Sequence, residues 1–361
     1  MQRVALICIR VLAALVLAAA TPAVLAADAP SRASVRDFYL DQSADRETRL
    51  LEHARKEGQV MLYSTMTVPD GKALAGAFEK KYGIRVVHWR ASAEKIVQRA
   101  LAEARANRPE ADVFEASASR MEALRRENQL VDFFVPGFRD LAPSAFAPGH
   151  RQFIADRFAF FVLGYNTQLV KADEVPQSYE DLLNPRWAGR MAVEATDSAW
   201  LAALVKAMGE DKGMAYFRKL AAMKPEVRSG HILGAQLVAS GEIPLFITAY
   251  NNNIESLKRR GAPVEWKALQ PAFGQASAIG ISRQAPHPYA ALLFADFVLS
   301  REGQDILRTL NRVPTSVAID SPLNKFRHQI IDPALALDEG EKWDRVWSNL
   351  FLGGKPIPAE E

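Results

Sequence analysis

"QVMLYSTMTVPDGKALAGAFEKKYGIRVVHWR", residues Gln59–Arg90, decides the architecture. "QVMLYST" reads as a short apolar strand. "PDGKALAGAFEKKYG" puts Leu74, Ala77 and Phe78 at the spacing of one helix face. "IRVVHWR" reads as a second strand. A strand, a covering helix and a second strand in so short a compass form a βα unit of a parallel sheet.

The same rhythm extends on both sides. Upstream, "ADRETRLLEHARKEG" (Ala44–Gly58) is an amphipathic helix with Leu50, Leu51 and Ala54 inward and Gly58 as its stop. Downstream, "SAEKIVQRALAEARAN" is a helix with Ser92 as its N-cap. "ADVFEAS" and "SRMEALRRENQ" add another strand and helix. "FAFFVLGYNTQLV" (Phe158–Val170) breaks the alternation and reads as a crossing to a second unit. That unit contains a strand in "SYEDLLNPRWAGRMAVEA", two helices in "DSAWLAALVKAMGEDKGMAYFRKLAAM", and a helix and buried strand in "GAQLVASGEIPLFITAY". "APVEWKAL" adds a strand. "SAIGIS" (Ser277–Ser282) is a crossing back, followed by helices in "HPYAALLFADFVLSREGQDILRTL" and a tail helix in "EKWDRVWSNLF". The expectation is an α/β protein of two units, with two crossings that form a hinge across a cleft.

In α/β sheets, ligands bind beyond the carboxyl ends of the strands. The candidate ligand-binding residues there are Ser64, Thr65, Arg90, Ser117, Tyr165, Thr196, Ser198, His231, Tyr250 and Asn251. Most are neutral hydrogen-bonding side chains, several at helix starts, where free N–H groups and the helix dipole favour anions. Taken singly, each also reads as an ordinary cap. Arg90 is the natural cation for a carboxylate or phosphate, or one half of a salt bridge. His231 reads as a ligand contact or a capping imidazole. "ITAYNNN" (Ile247–Asn253) reads as a strand end, with Tyr250 and Asn251 facing the cleft and Asn252 and Asn253 in the following turn.

The ends and the composition bound the class. Residues 1–26 have the form of a secretory signal: a basic start, an apolar run interrupted by Arg10, and small residues at Val24 and Ala26 before a cleavage point. The only cysteine, Cys8, lies within it, so the exported chain holds no disulfide, no thiolate metal site and no cysteine nucleophile. Cys8 is also too early to be a lipid-attachment site. The formal charge of +3 falls close to balance without Arg3 and Arg10, which gives no argument for nucleic acid. The expected location is therefore the periplasm. The six histidines show no HxH or HExxH spacing, and GxSxG and Gly-rich phosphate loops are absent. Neither a resident metal nor a cofactor nor a catalytic set is expected. A periplasmic hydrolase would need a nucleophile with a base, and none is visible.

On "VMLYST", "FEKKYGIRV", "ADVFEAS", "LGYNTQLV", "SYEDLLNPRWAGRMAV", "GAPVEW" and "APHPYAALLFADFVLSREGQDIL", the chain resembles the periplasmic solute-binding proteins of ABC importers, in the branch that includes ferric-ion binders. The resemblance implies a two-lobed, type II binding-protein fold. It assigns 31–155 plus 272–361 to one lobe and 156–271 to the other. It also implies a monomer serving a membrane permease and ATPase, and no catalysis. Ferric members commonly use two adjacent tyrosines at the end of a second-lobe strand, with a histidine after the first strand and a carboxylate among the other ligands. Here the pair reads Tyr250–Asn251, and the first loop, "YSTMTVPDG", has no histidine. Fe(III) prefers anionic oxygens, so amides are weak substitutes. The expected ligand is an organic or phosphorylated anion. A ferric ligand, or service to a membrane sensor kinase, is the alternative.

Overall fold

Residues 32–358 are described in a computed structural model of the chain. The expected signal and Cys8 lie outside this range. The first lobe begins with α1 (Arg32–Tyr39) and α2 (Arg46–Glu57), which ends at Gly58 in the left-handed region. The opening stretch then forms β1 (Gln59–Ser64), α3 (Val68–Tyr82) and β2 (Arg85–Arg90). α3 starts at Thr67, whose Oγ1 accepts the Asp70 N–H, and buries Leu74 and Phe78. α4 (Ala93–Arg105), β3 (Val113–Ser117) and α5 (Ala118–Arg126) continue the alternation. β1 lies between β2 and β3, all parallel.

The first crossing is β4 (Ile154–Asn166), which enters the second lobe. There follow β5 (Met191–Glu194), α6 (Ser198–Met208), α7 (Glu210–Ala222), β6 (Glu226–Arg228), α8 (His231–Ser240), β7 (Leu245–Tyr250), α9 (Asn251–Lys258) and β8 (Val264–Lys267). The return crossing, β9 (Phe273–Ile281), starts earlier than the sequence indicates. α10 (Pro288–Leu299), α11 (Arg301–Thr309), β10 (Val313–Pro314), β11 (Gln329–Ile330), α12 (Pro333–Asp338) and α13 (Gly340–Phe351) complete the chain. The main strand order is β2-β1-β3-β9-β4-β7-β5-β6, so the two crossings sit side by side in the middle.

Two further points differ from the sequence reading. Asn252 and Asn253 do not form a turn; with Asn251 they are the first residues of α9. Short amides suit a helix start, where they reach backbone groups without disturbing the turns beyond. The tail, expected with 31–155, buries Trp343 and Trp347 in a cluster with Trp187, Trp200 and Phe217 on one face of the second-lobe sheet. The other face of that sheet joins the cluster that fills the first lobe, through Phe158, Phe160 and Phe246. Among the described residues, no helix is long and apolar enough to cross a membrane.

Candidate functional site

The register of the crossings locates the cleft. β3 runs alongside β9 and ends with Ser117 opposite Ser277, which in turn pairs with Arg157 of β4. β7 runs in the opposite sense and ends with Tyr250 opposite Phe161. The carboxyl ends of strands from both lobes therefore point at each other across the four-residue rise from Arg157 to Phe161. At strand geometry that is about 13 Å, the size of a small solute.

On the first-lobe side, Arg90 ends β2 and is exposed; its Nε donates to the Met66 carbonyl at 3.1 Å, which holds the guanidinium at the start of α3. Ser92 and Ser117 occupy the N-cap positions of α4 and α5, but neither hydroxyl caps its helix. Ser117 Oγ instead lies 3.5 Å from Ser119 Oγ. Thr65 is already engaged: its N–H donates to Glu115 Oε2 at 3.0 Å and its Oγ1 to the same oxygen at 3.2 Å. Beneath it, Arg157 bridges Glu115 at 2.9 Å and Asp156 at 2.8 Å. Burial pushes the Asp156 carboxyl up, and Arg157 only partly opposes this.

On the second-lobe side, His231 opens α8 and stacks on Tyr250, with ring centroids 3.7 Å apart and planes 6° from parallel. His231 Nε2 lies 3.2 Å from Asp197 Oδ1. Asp197 is 1% exposed; burial raises its carboxyl, and His231 pulls it back. Glu194, at the end of β5, accepts from the Gly230 N–H at 2.9 Å, and from the Thr196 N–H at 2.5 Å and Oγ1 at 2.6 Å. It pins the loops that carry Asp197 and His231. Glu194, Asp197 and His231 each place one ligand atom within 4.8 Å of the others, a spacing suited to a metal ion. Glu194 already accepts from three donors, however, and its bracing role accounts for its position.

The site expectations divide accordingly. Arg90, Ser117, His231 and Tyr250 stand at the strand ends that face the gap. Thr65 and Thr196 are there too, but their hydroxyls serve Glu115 and Glu194. Four residues fall elsewhere. Tyr165 pairs with Leu245, at the far end of β7 from Tyr250, because β4 runs away from the cleft once it enters the second lobe. Ser64 is fully buried; its Oγ accepts the Met66 N–H at 2.9 Å and lies 3.0 Å from His88 Nε2. Ser198 Oγ donates to Asp344 of α13 at 2.5 Å. Asn251 does not face the cleft. It is fully buried, and its Nδ2 donates to the Leu323 carbonyl at 2.7 Å. Residues missed as site members are Asp197, Glu194, Glu115 and Arg157. Two carboxylates in "VEATDS" (Val193–Ser198), a charged pair at "ADRF" (Ala155–Phe158) and the acid within the apolar strand "ADVFEAS" (Ala111–Ser117) are the signals that point to them.

A family model described as bacterial extracellular solute-binding protein matches residues 121–330. An Fe(3+)-binding periplasmic protein of Serratia marcescens is 25% identical over 237 residues, covering 59% of this chain and 68% of its own length. Iron-bound HitA from Pseudomonas aeruginosa superposes with a TM-score of 0.70 at 22% identity, over 81% of this chain and 99% of that one. AfuA from Actinobacillus pleuropneumoniae, with fructose-6-phosphate bound, gives a TM-score of 0.70 at 23% identity, over 82% of this chain and 99% of that one. Both structures share the type II binding-protein fold with this chain.

Proposed function

The chain belongs to the bacterial extracellular solute-binding protein family, and from that premise we propose that it captures a small organic or phosphorylated anion between its lobes and delivers it to an ABC permease and ATPase. In this reading the exported protein is a periplasmic monomer without catalytic activity, and it bends where its two crossings run side by side across the gap, near residues 157–161 and 273–277. One observation carries the ligand class. Arg90, whose one described hydrogen bond uses Nε alone, ends β2 beside the starts of α3 and α4 on the first-lobe side of the gap, while His231 and Tyr250 lie on the second-lobe side. The guanidinium fork and the helix starts favour carboxylate or phosphate oxygens. The Tyr250 ring can cover an apolar portion of the ligand, and His231 supplies a polar contact from the other lobe.

Two specific observations favour a second reading, a ferric complex. Glu194, Asp197 and His231 cluster beside Tyr250, and the similar Serratia marcescens protein is named for Fe(3+). Against it stand the occupied oxygens of Glu194 and the absence of a second tyrosine beside Tyr250. A thermal-shift screen separates the two. Its panel holds sugar phosphates, organic acids and ferric citrate, applied to refolded, ligand-free protein. A ligand at about 100 times its dissociation constant adds about 2.7 kcal/mol of stability. The expected hit is a metal-free anion whose effect disappears in Arg90→Ala. Stabilisation by ferric citrate alone, with a visible phenolate–iron colour, contradicts the anion reading.

A further inference from the structure

The tail after α11 crosses between the lobes repeatedly. β10 pairs with β4 at Arg157–Phe158, on the first-lobe side of the crossing. The Leu323 carbonyl then accepts from Asn251 of α9, and β11 pairs with the start of β9. α12 next leans on α5 of the first lobe, where Asp338 forms a two-point ion pair with Arg126. The adjoining residue, Glu339, faces the other way and pairs with Lys206 of α6, in the second lobe, at 3.0 Å. Glu339 also accepts from Trp343 Nε1 at 2.7 Å. From Gly340, α13 runs along α6, anchored by Trp343, by Trp347 and by the hydrogen bond from Ser198 to Asp344.

The two attachments differ in strength. α13 sinks two tryptophans into the second-lobe core. α12 buries no residue fully, and its ion pair to the first lobe is solvent-exposed, with side chains 38% and 54% accessible. A cavity of about 560 Å³ lies between α6, the start of β9 and the α12–α13 bend, lined by Ala202, Phe273, Ile331, Leu335 and Trp343. The tail segment is therefore fixed at one end and lightly held at the other, with open space at its bend.

We propose that α12–α13 is a further, releasable connection between the lobes: a strap whose Arg126–Asp338 contact limits hinge opening and thereby sets the balance of open and closed populations. It rests on the two-lobed hinge and not on the identity of the ligand. A population bias of this kind changes affinity without touching the solute, because only the competent conformer binds at full strength. An exposed ion pair is worth little to global stability, so its loss should move the populations by about two- to fivefold while leaving the melting temperature nearly unchanged.

The test uses the ligand-free full chain in a Cys8→Ser background, so that Gln98→Cys on α4 and Gln236→Cys on α8 carry the only spin labels. Distances between them are read by pulsed electron paramagnetic resonance in the parent, in Asp338→Asn and in Asp338→Arg. Asp305→Asn, which removes an exposed ion pair with Arg308 inside the first lobe, is the control. The expected result is a graded shift to longer and broader distances, from parent to Asn to Arg, with the control matching the parent. Distributions that coincide in all four proteins overturn the proposal. So does an equal shift in the Asp305→Asn control, or widening that appears only with a matching loss of melting temperature.

Discussion

Tyr250 and Asn251 are neighbours with opposite roles, and the difference is one of direction. Tyr250 ends β7 and lies against the imidazole of His231. Asn251 turns inward and joins α9 to the 321–324 segment through Leu323. Tyr250→Ala should weaken ligand binding roughly tenfold or more, the scale of a lost buried hydrogen-bond partner, as measured by calorimetry with the hit from the screen. Asn251→Ala should leave affinity unchanged. It should cost about 1–3 kcal/mol of stability in urea denaturation, because the buried Leu323 carbonyl loses its donor. The sequence marks this strand end as unusual but does not separate the two residues. Both are polar, and which one faces the cleft depends on the helix that follows. Asp197 is hidden for a related reason. An acid before a helix reads as a cap, and only the fold brings His231, from a different loop, within 3.2 Å of it.

Elements were legible where periodicity was strong. The βα units from Ala44 to Gln129 follow from apolar spacing, as does α13 with its tryptophans; the two crossings show as breaks in the alternation, but β4 and β9 each begin four residues before the expected runs. The placement of α13 was not legible, since an amphipathic face does not name the surface that it covers. Trp347→Ala should cost about 3–5 kcal/mol, the usual price of emptying a buried tryptophan site, and a urea titration reads it directly. The crossing β4 makes a different demand. Asp156 and Arg157 interrupt an otherwise apolar strand and meet Glu115 below the cleft. With the Asp156 carboxyl held above its ordinary range by burial, the folded chain keeps a proton that the unfolded chain has already lost. This contribution is fully present below about pH 4 and fades as the pH rises toward neutrality. Relative to the parent, Asp156→Asn should therefore gain stability between about pH 4 and pH 7. Urea midpoints of both proteins at three pH values check the sign; parallel profiles contradict it.

For the whole molecule, two antiparallel crossings placed side by side join the lobes; in the proposed clamp the lobes bend there about a few residues, and the strand ends on either side supply the contacts that closure completes. The fold was readable because its alternation and its two breaks lie in the chain itself. The ligand was not, because hydroxyls and acids at strand ends are common to many solutes, and Glu115 and Glu194 consume several donors that the sequence leaves open. Small-angle scattering on the protein, with and without a saturating hit from the screen, tests the clamp most directly. The radius of gyration should fall when the ligand is added, and it should not fall when Arg90→Ala is given the same ligand at the same concentration. An unchanged radius in the parent at confirmed saturation would contradict closure around the ligand.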